Sequence, residues 1–190
     1  MKSSKAVLVA GISGSGKSTI CHGFKDHAVV VELDGILLTA YQKLNVGAEG
    51  GDPFSYAVWA EFLANSNRYR DFRGFVQSYI SMQLQEHQSP VVFIVGNHFV
   101  IPSILDVMTE VLTASYVEAI HRIALSVADE KVLAQRLRRG NPYDIEMTLD
   151  KVSKEAERLR SSLSKHDFQF LNEPDCRSTL SELVSLVPVT

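Results

Sequence analysis

The chain has 190 residues, 45% of them apolar and 22% charged, which points to one globular domain with a sizeable core and excludes a disordered or fibrous chain. Its net charge of −3 supplies no basic field for wrapping nucleic acid, so no nucleic-acid partner is expected. Cys21 and Cys176 have neither CxxC spacing nor a disulfide framework, and no apolar run approaches the roughly 20 residues of a membrane helix, so the expectation is a soluble cytoplasmic protein without a membrane partner.

The first apolar run, Lys5 to Ala10, leads directly into Gly11-Ile12-Ser13-Gly14-Ser15-Gly16-Lys17-Ser18. Its basic start superficially resembles a secretory leader, but the apolar part is short and runs straight into the glycines. The octapeptide is G-x-x-x-x-G-K-S between a strand and an amphipathic helix, Ser18 to His27. Glycines let successive backbone N–H groups turn inward into an anion-binding nest, where a Cβ would clash. The following helix N-terminus favours phosphate. Lys17 adds a mobile charge for the outer phosphates, and the Ser18 hydroxyl can join a magnesium ion. The segment from Gly11 through Ser13, Gly14, Ser15, Gly16, Lys17 and Ser18 to Thr19 is therefore the expected nucleotide-binding set.

Ala28 to Leu33 is a second β-branched run, ending at Asp34-Gly35, and Ile36 to Leu44 reads as a short helix. Asn45 to Pro53 is the most loop-like stretch. Pro53 to Ala64 then reads as a helix with Asp52 at its N-cap and Pro53 in its first position. Arg68 to His87 carries apolar residues at helical spacing. Pro90 to Val95 is the third strand, followed by Gly96-Asn97-His98. A helix over Ile101 to Ala114 and a fourth strand within Val117 to Val127 come next. Ala128 to Arg138 is helical and breaks at Arg139-Gly140-Asn141-Pro142. Asp144 to Lys165 is a long helix, Phe168 to Leu171 a fifth strand, and Ser178 to Val187 a closing helix capped by Ser178.

Strands alternating with helices imply right-handed crossovers and an open, five-stranded parallel sheet between helix layers. Ligands of such sheets sit at the carboxyl ends of the strands. Here those ends are Gly11, Asp34, Gly96-Asn97-His98 and Asn172-Glu173.

The loop on the first strand, Asp34 after the second, a helical insertion before the third and the segment Arg136-Leu137-Arg138-Arg139 after the fourth together resemble the P-loop small-molecule kinases. That group contains nucleoside monophosphate, shikimate and gluconate kinases and the chloramphenicol phosphotransferase-like enzymes. The resemblance implies a three-layer α/β/α P-loop NTPase fold in one domain over residues 1–190, with a helical acceptor-binding insertion at about 45–88 and a short lid at about 136–146. It implies transfer of the γ-phosphate of ATP, with Mg²⁺, to a hydroxyl of a small molecule. Nucleoside monophosphate kinase and regulatory nucleotide-binding ATPase are the alternatives.

Under the same resemblance, Lys17, Asp34, Arg136 and Arg139 are the catalytic candidates, with Asp34 as base and the arginines as lid groups that stabilise charge on the transferred phosphoryl. Asp34, Arg68, Arg70, Arg73 and Asn97 would meet the acceptor, and Ser18 and Asp34 the metal. Asp34 also suits a helix cap, and the arginines also suit a solvated helix end. Glu32 shares a sheet face with Asp34 and is a supporting group, or else the partner of a base. Val95 stands where many P-loop enzymes carry an acidic residue, which leaves the metal to Ser18 and Asp34. His98 reads as an ordinary loop histidine, and no motif fixes the oligomeric state.

Overall fold

The computed structural model describes residues 5–47, 51–87, 89, 91–115, 117–141 and 144–185. Five parallel strands form one sheet: β1 (Lys5–Ala10), β2 (Val29–Glu32), β3 (Val91–Gly96), β4 (Ala119–Leu125) and β5 (Gln169–Leu171), in the order β2-β3-β1-β4-β5. The two central strands are buried on both faces, which is why β1 and β3 read as unbroken apolar runs. Their register pairs Val7 with Phe93 and Ala10 with Gly96.

Period-two alternation divides these strands between two cores. Ala6, Leu8, Ala10, Val92 and Ile94 face one layer, whereas Val7, Val9, Phe93 and Val95 face the other. The larger layer contains α2 (Leu33–Lys43), α3 (Tyr56–Ala64), α4 (Ser66–His87), α5 (Pro102–Ser115), α6 (Asp129–Arg139) and α7 (Leu149–Leu163). The smaller contains α1 (Lys17–His22) and α8 (Glu173–Ser185). Fully burying a side chain such as Phe93 or Ile94 contributes roughly 1.5–3 kcal/mol, so the sheet interior dominates stability.

Several element starts differ from the sequence reading, each for a local reason. The chain enters α2 at Leu33 with Glu32 at the N-cap, so Asp34 lies in the first helical turn and is not the cap. Asp52 accepts from the Phe54 N–H in a turn, and the α3 cap is Ser55, whose hydroxyl accepts from Val58. A helix at Pro53 is thereby replaced by a later one. Thr148, accepting from Lys151, starts α7 at Leu149 and not at Asp144. Asn172 accepts from the Asp175 N–H, which starts α8 at Glu173, before Ser178. The helix α1 stops at His22, well short of His27. The expected strand start at Pro90, the tip of the 45–53 loop, the lid residues 142–143 and the expected helix end at Val187 lie outside the described residues.

No helix among the described residues is long and apolar enough to cross a membrane.

Candidate nucleotide and acceptor site

The glycine loop leaves β1 and turns into α1. Gly14 and Gly16 have φ of 86° and 88°, backbone that residues with a Cβ adopt only at a cost of about 1–2 kcal/mol. A Cβ on Gly14 would also stand 2.9 Å from the Arg136 Cγ. The Ser15 N–H donates to the Ile12 carbonyl at 3.1 Å, closing the turn. The Ser15 hydroxyl is buried and has no hydrogen-bond partner among the described residues, the condition expected of a group that meets a ligand.

Lys17 is half-buried at the mouth of this loop, and its ammonium lies 3.5 Å from the Ile12 carbonyl. Burial lowers its pKa from the ordinary lysine value. The carboxylates of Asp34 and Glu32 pull the pKa back up, and Arg139 and Arg136 push it down. One ammonium therefore feels both carboxylates and both arginines, so these groups converge on the loop. Thr19, by contrast, is exposed.

The two carboxylates face different ways. The Ser18 hydroxyl donates to Glu32 Oε2 at 3.2 Å, and His22 lies 3.2 Å from Glu32 Oε1. Asp34 turns instead toward His98, whose Nδ1 is 3.4 Å from Asp34 Oδ1. His98 is buried, and its Nε2 donates to the Phe54 carbonyl at 2.9 Å. Its Nδ1 makes no hydrogen bond among the described residues, so it stands beside Asp34 and is fixed by the segment before α3. The place of Glu32 is the supporting or base-paired one that the sequence suggests, whereas His98 reads in the sequence only as an ordinary loop histidine. The signal for Glu32 was its position two residues before Asp34, but nothing local marks a histidine whose partners lie 64 and 44 positions away. Asn97, next to it, has a buried Oδ1 without a hydrogen-bond partner among the described residues.

The arginines separate into two groups. Arg136 is 3% exposed. Its Nε donates to the Ser13 carbonyl at 2.7 Å, and Nη2 donates to Glu155 of α7 at 2.8 and 2.9 Å. In this structure it braces the glycine loop from beneath. Arg139 is exposed one turn further along, within the electrostatic reach of Lys17. Arg68, Arg70 and Arg73 are not brought to the loop. Arg73 pairs with Glu110 of α5 at 2.9 Å. Arg68 donates to the Leu44 carbonyl at 3.4 Å and covers the Phe62 ring. Arg70 is exposed.

Gly11 packs against Leu125, the last residue of β4. Just beyond Leu125 an open recess of about 560 Å³ lies between the β4–α6 and β5–α8 connections, lined by Ser126, Val127, Lys131, Asn172 and Arg177 among others. No group of three or more potential metal-ligating His, Cys, Asp or Glu side chains occurs among the described residues.

Sheet order 2-3-1-4-5 with a glycine loop after the central strand and helices on both faces decides the architecture. The fold is P-loop kinase-like. Solved structures agree. The tunicamycin resistance protein of Deinococcus radiodurans superposes with a TM-score of 0.57 at 18% identity, over 98% of this chain and 99% of that one. TT1252 from Thermus thermophilus gives 0.55 at 15% identity, over 98% and 100%. A chain of the Pnkp1/Rnl/Hen1 RNA repair complex gives 0.53 at 20% identity over 89% of this chain, which spans only 48% of that one. No protein-family model and no curated protein matches the sequence.

Proposed function

We propose that the protein is a phosphotransferase that moves the γ-phosphate of ATP to a hydroxyl of a small molecule. The observation that carries this reading is a glycine loop with Gly14 and Gly16 at φ of 86° and 88° after the central strand, with the carboxylate Asp34 in the first turn of the helix that follows β2. An anion nest with a lysine binds a polyphosphate tail. A carboxylate beside it accepts a proton as a hydroxyl attacks. The recess beyond Leu125 suits the nucleoside end of the same ligand. The Asn97 carbonyl, buried without a partner, is available to the attacking hydroxyl.

A magnesium ion suits the oxygen donors at the loop exit. The Ser18 hydroxyl and the Glu32 carboxylate meet there, and oxygen-only ligation by one or two protein groups is what Mg²⁺ uses beside phosphates. Ser18 and Glu32 would hold it. Asp34, on the side of His98, is left for the acceptor. When bound, the ion would neutralise charge on the phosphates. Arg139, exposed at the end of α6, would join in stabilising that charge, with Arg136 holding the loop it acts on.

The test is phosphate transfer from Mg·ATP across hydroxylated metabolites with wild type and Asp34→Asn. The variant keeps nucleotide-dependent thermal stabilisation and loses turnover by about 10²–10⁴-fold, the range for a general base. An active Asp34→Asn would remove it as base. Hydrolysis indifferent to every acceptor but stimulated by a protein partner would make the chain a regulatory ATPase.

A further inference from the structure

A groove of about 210 Å³ opens between the start of α3 and α7, lined by Tyr56, Val100, Lys154, Glu155, Arg158 and Leu159. Tyr56 joins it to the base. Its ring meets His98 edge-on at 4.9 Å, and His98 touches Asp34. The Tyr56 hydroxyl lies in the fields of Glu155, Arg158, Asp34 and Arg136. On the side of Asp34 away from Lys17, two large apolar side chains are partly exposed. Leu38, one helical turn beyond Asp34 on the same face of α2, is 41% exposed, and Phe54, beside His98, is 39% exposed.

The cations of this region are largely occupied. Lys154 is paired with Asp150, and Glu155 is taken by Arg136. Arg158 lies over the Tyr56 ring at 5.3 Å. Among the described residues it is the one cation lining the groove without a carboxylate partner. A phosphate group at neutral pH carries nearly two charges and is recognised by several cations, arginine forks above all. Of the three arginines that the insertion offers, Arg68 and Arg73 are engaged elsewhere and Arg70 is exposed on α4.

We infer that the acceptor, in the phosphotransferase reading on which this rests, is an alcohol with a compact apolar body, aryl or alicyclic. It would lie against Leu38, Phe54 and Tyr56 with its hydroxyl at Asp34 and at most one polar substituent at Arg158. A nucleoside monophosphate does not suit this cleft. Apolar walls with few convergent polar groups are how small-molecule sites gain affinity and orientation. Leaving two large apolar side chains exposed beside a catalytic carboxylate has a cost that such a ligand removes by covering them.

The probes are 2-phenylethanol and cyclohexylmethanol, set against AMP, CMP and glucose. Each is assayed for phosphate transfer from Mg·ATP and, separately, for binding by calorimetry with a non-hydrolysable Mg·ATP analogue present. Transfer to the apolar alcohols is expected, with KM raised at least tenfold in Leu38→Ser and Phe54→Ser and the KM for ATP unchanged. Arg68→Ala/Arg70→Ala is expected to transfer as wild type does. Preference for AMP or CMP, lost in the double arginine variant, overturns the inference and leaves the phosphotransferase intact. Preference for glucose does the same. Binding of the alcohols without transfer supports the cleft and overturns the phosphotransferase. No binding of either alcohol overturns the inference, whatever the transfer result.

Discussion

In the proposed function Lys17 is the residue that meets the phosphates, and burial holds it at a cost. Burial lowers its pKa from the ordinary value, so folding favours its neutral form. Between the lowered value and the unfolded value of about 10.4 the unfolded chain binds more protons, so this residue makes stability rise with pH. Below that window the folded protein carries the cost in full. Lys17→Met is therefore expected to make the empty protein at least as stable at neutral pH and to remove this alkaline rise. The same variant is expected to lose stabilisation by ATP. Denaturant midpoints across the alkaline range, for both proteins with and without nucleotide, check it, and identical slopes would contradict it. The proposed role of Lys17 follows from the octapeptide because it depends on its immediate neighbours. The place of His98 does not, because it depends on Asp34 and Phe54, which only the folded sheet brings within 3.4 and 2.9 Å.

At the scale of elements, α6 and α7 form a frame for the loop. Arg136 joins Ser13 of the loop to Glu155 of α7. In a trans peptide the carbonyl and the next N–H point to opposite sides. Holding the Ser13 carbonyl toward α6 therefore aims the Gly14 N–H away from it. The sequence reading took Arg136 for a lid group because a basic helix end before Gly140 looks the same in either role. What distinguishes the roles is burial, which depends on Val132, Val152 and Leu159 packing α6 and α7 into the larger core. Arg136 is buried but its partner Glu155 is 31% exposed, so losing the arginine costs less than breaking a fully buried pair, about 1–3 kcal/mol. Arg136→Ala should lose stability on that scale and weaken nucleotide binding together with turnover. Arg139→Ala, exposed, should leave stability within about 0.5 kcal/mol and lower turnover alone. Chemical denaturation and nucleotide titration of the two variants separate these outcomes. Helix starts were the other misjudged feature at this scale. Ser55, Thr148 and Asn172 each cap by a side chain, and several residues of the right type lay near each boundary.

For the whole molecule, the alternation of apolar runs with helical stripes was enough to give the sheet, because β1 and β3 are buried on both faces and cannot be other than apolar. The order of the strands then places Gly11, Asp34 and Asn97 along one edge of the sheet, and a ligand held there is tied to the folded state as a whole. Such a ligand stabilises by mass action, about 2.7 kcal/mol at a hundred times its Kd. For a domain of 150–250 residues each kcal/mol is worth about 2–4 °C in Tm. Saturating Mg·ATP should therefore raise the Tm of wild type by roughly 5–10 °C. Gly14→Ala, whose Cβ would stand 2.9 Å from the Arg136 Cγ at a φ of 86°, should abolish the rise. Chelating the magnesium should reduce the rise without abolishing it, since in the proposed function the nest and Lys17 meet the phosphates directly. A thermal melt of the two proteins with ATP, Mg·ATP and neither decides the point. An undiminished rise in Gly14→Ala would mean that the nucleotide sits somewhere other than the glycine loop.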